Sequence, residues 1–197
     1  MNKIKNIFLI IIIMFVITLF SYIVIENDKK ITYVKQMDFF KIYLENNYDV
    51  SELIIIDFMN IIYKIKKEYP DIYNNVSIFD ILAIGHVETR FRNIIGDEGD
   101  SLGYFQIQES TYWFVKSIYS DLFYELDFIN LPWKWSYVEE RADIQILTAI
   151  LYLNYLRNKY ENKVYYHYNG GSTEYERKIL NELKNIEEDY NYFLINY

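Results

Sequence analysis

The sequence predicts an all-α protein, and three observations carry that prediction. Apolar residues recur at spacings of three and four along most of the chain, the signature of helices with one buried face. Strand-like alternation is scarce. Serines stand directly ahead of several of these runs, where a side-chain oxygen can accept from the free N–H groups of a first turn.

Taken in order, residues 7–25, IFLIIIIMFVITLFSYIVI, are uncharged and almost wholly apolar. As a helix they are long enough to cross a hydrocarbon layer of about 30 Å. Lys3 and Lys5 precede the run, which favours a cytoplasmic N-terminus and an exported body; Lys29 and Lys30 weaken that bias. No small-residue cleavage pattern follows Ser21, so an uncleaved anchor is favoured over a signal peptide. The expected division is residues 1–30 as anchor or signal segment and 31–197 as the working domain, on the outer side of the cytoplasmic membrane, or secreted if the segment is cleaved.

In the body, helices are expected over 34–47 and 51–69, the second opened by Ser51 and stopped by Pro70. Ser77 opens a third, IFDILAIGHVETRF. A glycine-bearing loop follows at 93–103, then a helix through QESTYWFVKSIY. After the break NLPWKWS, Ser136 and Glu139 have the spacing of a capping box and predict a long helix to about Tyr160. Asn169, Gly170 and Gly171 form a turn, and Thr173 with Glu176 is a second capping-box candidate, opening the last helix.

Composition narrows the function. The chain has 197 residues, 52% of them hydrophobic, enough for one sizeable core. It has no cysteine, which excludes a thiolate nucleophile, a thiolate metal site, a disulfide framework and a lipid on an N-terminal cysteine. A net charge of −8 argues against nucleic acid as a partner, since phosphates call for a basic face. Twenty-two tyrosines and 13 phenylalanines serve a core as readily as a sugar platform.

One segment concentrates chemistry: HVETRFRNIIGDEGDSLGYFQI, residues 86–107. Glu88 lies near a helix end among Ile84, Val87 and Phe91, neighbours that would desolvate it and raise its pKa. A carboxyl kept protonated near neutral pH is what a general acid for glycosidic cleavage requires. Gly96, Gly99 and Gly103 permit tight turns, and Gln106 carries an amide that both donates and accepts.

At these residues the sequence resembles the lytic transglycosylases of the soluble, goose-lysozyme-like superfamily. ETRF leading to GYFQ is similar to that family's Glu-Ser helix end, loop and Gly-Leu-Met-Gln, with Glu88 and Gln106 eighteen positions apart. QILTAILYL, 145–153, resembles its Asn-Ile-x-x-Gly-x-x-Tyr-Leu helix, with Gln145 for Asn and Ala149 for Gly. HYNGG resembles its Ala-Tyr-Asn-Ala-Gly turn, keeping Tyr168, Asn169 and Gly171. The likeness covers about 77–171.

The resemblance implies a lysozyme-like α-domain with a groove for peptidoglycan glycan strands. It would cut the β-1,4 bond between N-acetylmuramic acid and N-acetylglucosamine, leaving 1,6-anhydromuramic ends without consuming water and without a cofactor or metal. Glu88 would be general acid and then base. Thr89, Gly103, Gln106, Tyr168 and Asn169 would lie against substrate, with Tyr168 close to the acid and helping to hold it.

Departures from the family are as specific as the matches. Thr89 stands where Ser is usual, Tyr104 and Phe105 replace Leu-Met, and the loop GDEGDS brings in Asp97, Glu98 and Asp100. Any of these three acids is a candidate second carboxylate for an inverting hydrolase, which needs its partner about 6.5–9.5 Å from the acid; acids that cap turns are the commoner case. Two other readings stand beside the transglycosylase: a muramidase hydrolysing the same bond, and an inactive wall-binding scaffold.

A metal site wants about three protein ligands, and the spacing around His86 and His167 supplies no third, so structural or groove-lining roles are expected of both. Trp113 is expected in the core, and Trp133 and Trp135 are candidates for a groove wall.

Overall fold

The computed structural model describes the backbone of residues 2–125 and 134–197, and side chains from residue 14 onward within those ranges. The chain divides into two compact units, Met1–Asp38 and Phe39–Tyr197. The first helix, α1, runs Asn2–Asn47. From Met14 to Ile25 its side chains are exposed on every side of the helix. Among the described residues no helix is long and apolar enough to cross a membrane; the side chains of 7–13, the first part of the expected anchor, lie outside the description.

The second unit is mostly helical, as expected. Helix α2 is Glu52–Glu68, and Ser51 Oγ accepts from the Ile54 N–H at its start. Pro70 ends it and opens the short α3, Pro70–Asn75, since proline lacks only an N–H that a first turn leaves free. Helix α4 is Ile78–Thr89, closed at its N-terminus by a reciprocal box between Ser77 and Asp80.

Asp80 is almost fully buried and also faces Arg157 Nη2, at 2.8 Å, and the Tyr165 hydroxyl. A buried carboxylate left without such partners would cost several kcal/mol. The helix start is thus tied to the helices that carry Arg157 and Tyr165.

Helix α4 ends with Arg90 and Phe91, both at positive φ. The turn folds the Phe91 ring over Gly85, where a Cβ would lie 2.3 Å from ring carbon Cζ. Phe91 packs there with the half-buried Tyr48 and with Phe58 and Phe105; full burial of the three phenylalanines contributes about 1.5–3 kcal/mol each.

The glycine-bearing loop is not irregular throughout. It contains a three-stranded antiparallel sheet: β1, Ile95–Gly96; β2, Ser101–Leu102; β3, Ile107–Gln108. Leu102 pairs with both Ile95 and Ile107. This corrects the purely α expectation: two-residue strands are too short to show alternation in sequence.

Helices α5, Glu109–Ile118, and α6, Ser120–Glu125, follow. Helix α7, Ala142–Tyr160, begins later than the Ser136 signal predicts. Residues 135–137 form a 3-10 turn instead, and the helix opens on an ion pair between Arg141 and Asp143 at 2.5 Å. Helix α7 is buried on most of its circumference, the place for a central helix.

The chain closes with α8, Val164–Tyr168, and α9, Thr173–Asn196. The cap of α9 is Ser172, which accepts from the Tyr175 N–H at 3.1 Å, rather than the Thr173 and Glu176 pair. Helices α4 and α9 pack together.

Candidate active site

A cleft of about 440 Å³ opens beside the end of α4. Glu88, Asp97, Gln106, Tyr152, Tyr168 and Asn169 are among its lining residues. Four regions supply them: the end of α4, the turns between the strands of the small sheet, the middle of α7, and the end of α8 with the residue that follows it.

Of the two carboxylates among the described lining residues, Asp97 is exposed and Glu88 is set into the protein body. Burial raises its pKa to about 7; a hydrogen bond from Tyr175 opposes the shift and the charge of Asp97 adds to it. The Tyr175 hydroxyl donates to Glu88 Oε1 at 2.6 Å. Burial and the nearby Glu88 charge push the phenol of Tyr175 well above its ordinary range, so it remains a donor at any working pH. A carboxyl that titrates near 7 is poised both to give a proton and to take one back.

Tyr168 lies close to the acid, as expected: after burial, the Glu88 charge is the largest cause that pushes its phenol well above the ordinary range, but it does not hold the carboxyl. Its hydroxyl donates to the Phe105 carbonyl at 3.3 Å, and its ring lies parallel to that of Tyr175, with centroids 6.2 Å apart. It walls the cleft and backs Tyr175, while Tyr175 holds the acid. Sequence reasoning missed Tyr175 because its link to Glu88 joins α4 to α9 with no local spacing to mark it. The serine cap that orients the first turn of α9 was the available signal.

Gln106 lines the cleft but uses its amide within the loop. Its Nε2 donates to the carbonyls of Ile94 and Gly103, each at 3.0 Å, and its Oε1 accepts from Ser101 at 2.9 Å. The backbone at Gln106 is left-handed, φ 45°, and these bonds hold it there. The side chain braces the cleft wall.

Thr89 and Gly103 stay behind the wall. Thr89 is buried, and its hydroxyl donates to the Tyr104 carbonyl at 2.8 Å, tying the helix end to the loop. Gly103 lies at φ 82°, and a Cβ there would fall 2.0 Å from Gln145 Oε1. Gln145, wholly buried, accepts from the Tyr104 N–H at 2.8 Å and donates to the Val138 carbonyl at 2.7 Å. This glutamine, in the helix likened to a family motif, fixes the loop to α7.

Of the three loop acids only Asp97 reaches the cleft; Glu98 and Asp100 are exposed outside it. Asn169 lies at its rim, ahead of Gly170 and Gly171, both at positive φ. His167 also lines it, stacked on Tyr160 at 3.6 Å. His86 faces away, toward Tyr48 at 2.7 Å and Glu182 at 3.4 Å.

Trp113 is half-buried on α5, its indole donating to Glu109. Trp135 donates to the Gly99 carbonyl at 3.3 Å and so braces the loop from outside the cleft. Trp133 lies outside the described residues.

Compared with family models, with curated proteins and with solved structures, the chain matches none.

Proposed function

We propose that the chain is a peptidoglycan lytic transglycosylase with a lysozyme-like helical domain. The observation that carries this reading is Glu88: a carboxyl titrating near 7, held by a tyrosine, in a polar cleft wide enough for sugars. Protonated, it gives its proton to the glycosidic oxygen; ionised, it then removes the proton of the muramoyl 6-hydroxyl as the 1,6-anhydro ring closes. The substrate's own N-acetyl group stabilises the developing cation, so a second protein carboxylate is not required.

The three sequence motifs support the same reading, because the residues they contain meet around one cleft although about eighty positions of chain separate the first from the last. Thr89, Gly103 and Gln145 support it indirectly, by holding the loop that forms one wall.

The alternative with an observation in its favour is a muramidase. Asp97 shares the cleft with Glu88, and an inverting hydrolase needs a second carboxylate there to activate water.

The apolar side chains exposed all round α1 from Met14 to Ile25 fit hydrocarbon better than water. They support a membrane-anchored enzyme acting on the wall outside the cytoplasmic membrane.

The test is release of soluble muropeptides from purified sacculi by the full chain, beside Glu88→Gln. Loss of release in the variant with sacculus binding retained is expected. Full release by Glu88→Gln would move the acid elsewhere.

A further inference from the structure

The cleft has a charge character that the proposed cleavage does not call for. Its described lining holds two carboxylates, Glu88 and Asp97, and one imidazole, His167; no Lys or Arg is among these residues. Asp97 is exposed, and its backbone is left-handed, φ 46°, a conformation Asp tolerates better than most residues. Its Oδ2 faces the Ser101 hydroxyl at 3.2 Å. That hydroxyl has a single proton and lies nearer Gln106 Oε1, at 2.9 Å. Among the described residues no ion pair involves Asp97. A carboxylate thus faces the cleft without an ion-pair partner among the described residues.

A fully N-acetylated, uncharged strand offers nothing to match that anion. We infer that the cleft selects glycan in which the sugar lying over Asp97 has lost its N-acetyl group and carries a free 2-ammonium. An ammonium brings three donors and a compact charge to a carboxylate that has room for them. The acetyl group that assists bond cleavage belongs to the muramoyl unit, so the inference puts the free ammonium on a glucosamine unit of the strand and leaves the muramoyl unit acetylated. Anionic decorations in the same place meet like charge and are rejected.

The inference rests on the glycan-cleaving reading and names the substrate class of the same cleft. Its test is calorimetric titration of the full chain, in detergent micelles at mildly acid pH, with chitohexaose and with its fully deacetylated counterpart. The variants are Asp97→Asn, which keeps an acceptor for Ser101, and Glu98→Gln, one residue further and outside the cleft.

The expected result is about tenfold tighter binding of the deacetylated oligosaccharide, the scale of one charge-assisted hydrogen bond. That preference weakens with salt, disappears in Asp97→Asn and persists in Glu98→Gln. Equal affinity for the two oligosaccharides would overturn the inference and leave glycan binding standing. A preference that survives in Asp97→Asn would also overturn it, as attraction to a generally acidic chain. Binding of neither would remove the glycan reading and this one together.

Discussion

Tyr175 donates its hydroxyl to Glu88 Oε1 at 2.6 Å, joining the first turn of α9 to the last turn of α4 across 87 positions of sequence. The bond favours the ionised carboxylate, while burial favours the neutral acid and is the larger effect. The titration of Glu88 is a balance between helix packing and one phenol.

Tyr175→Phe removes the group that lowers the Glu88 pKa and leaves the burial in place. The Glu88 midpoint is expected to move above about 7, read by carbon NMR of labelled glutamate. The pH at which activity falls moves up with it, while the maximal rate drops because the acid has lost its positioning residue.

Asp97→Asn acts in the opposite sense, because the Asp97 charge is one of the causes that raise the Glu88 pKa. The alkaline limb of activity shifts to lower pH, by less than Tyr175→Phe shifts it upward. On fully acetylated glycan most of the rate at the optimum is retained. A collapse to background would favour the hydrolytic route.

Glu88→Gln is expected to stabilise the fold at high pH only. The folded pKa, about 7, lies above the ordinary 4.5, so the folded state binds more protons between these values and loses stability as pH rises through them. Below pH 4 the acid is neutral in both states and the variant melts with the parent. Above pH 8 the variant gains up to about 3 kcal/mol, the ceiling set by about 1.4 kcal/mol per pH unit, read by thermal melts at the two pH values.

Gln145→Leu strips the loop of its buried anchor and leaves the Tyr104 N–H without its acceptor. The expected loss is about 2–4 kcal/mol, seen as a lowered melting temperature. Wall-degrading activity is expected to fall more steeply than stability at assay temperature, because the wall of the cleft loosens first.

The elements most legible in the sequence were those whose signals are local. Ser51 and Ser77 open α2 and α4 where their spacing places them, and Pro70 and the turn at 169–171 act as read. Ser136 and Glu139 have capping-box spacing too, yet the Glu139 carbonyl accepts from Asn93 and Gln145, and tertiary contacts there override the local pattern.

The desolvation of Glu88 was legible because its apolar neighbours are adjacent in sequence. The partners that set its chemistry were less so. Tyr175 lies far along the chain, Gln106 turns its amide inward, and choosing among Asp97, Glu98 and Asp100 depends on two left-handed residues and a 3-10 turn. Spacing does not encode those directions.

The most direct test of the central claim is mass spectrometry of the muropeptides that the full chain releases from purified sacculi, run beside Glu88→Gln. The account predicts products ending in 1,6-anhydromuramic acid, absent with the variant. Reducing muramic acid ends would contradict the ring-closing step and assign water activation to Asp97; equal products from both proteins would contradict the role of Glu88 itself.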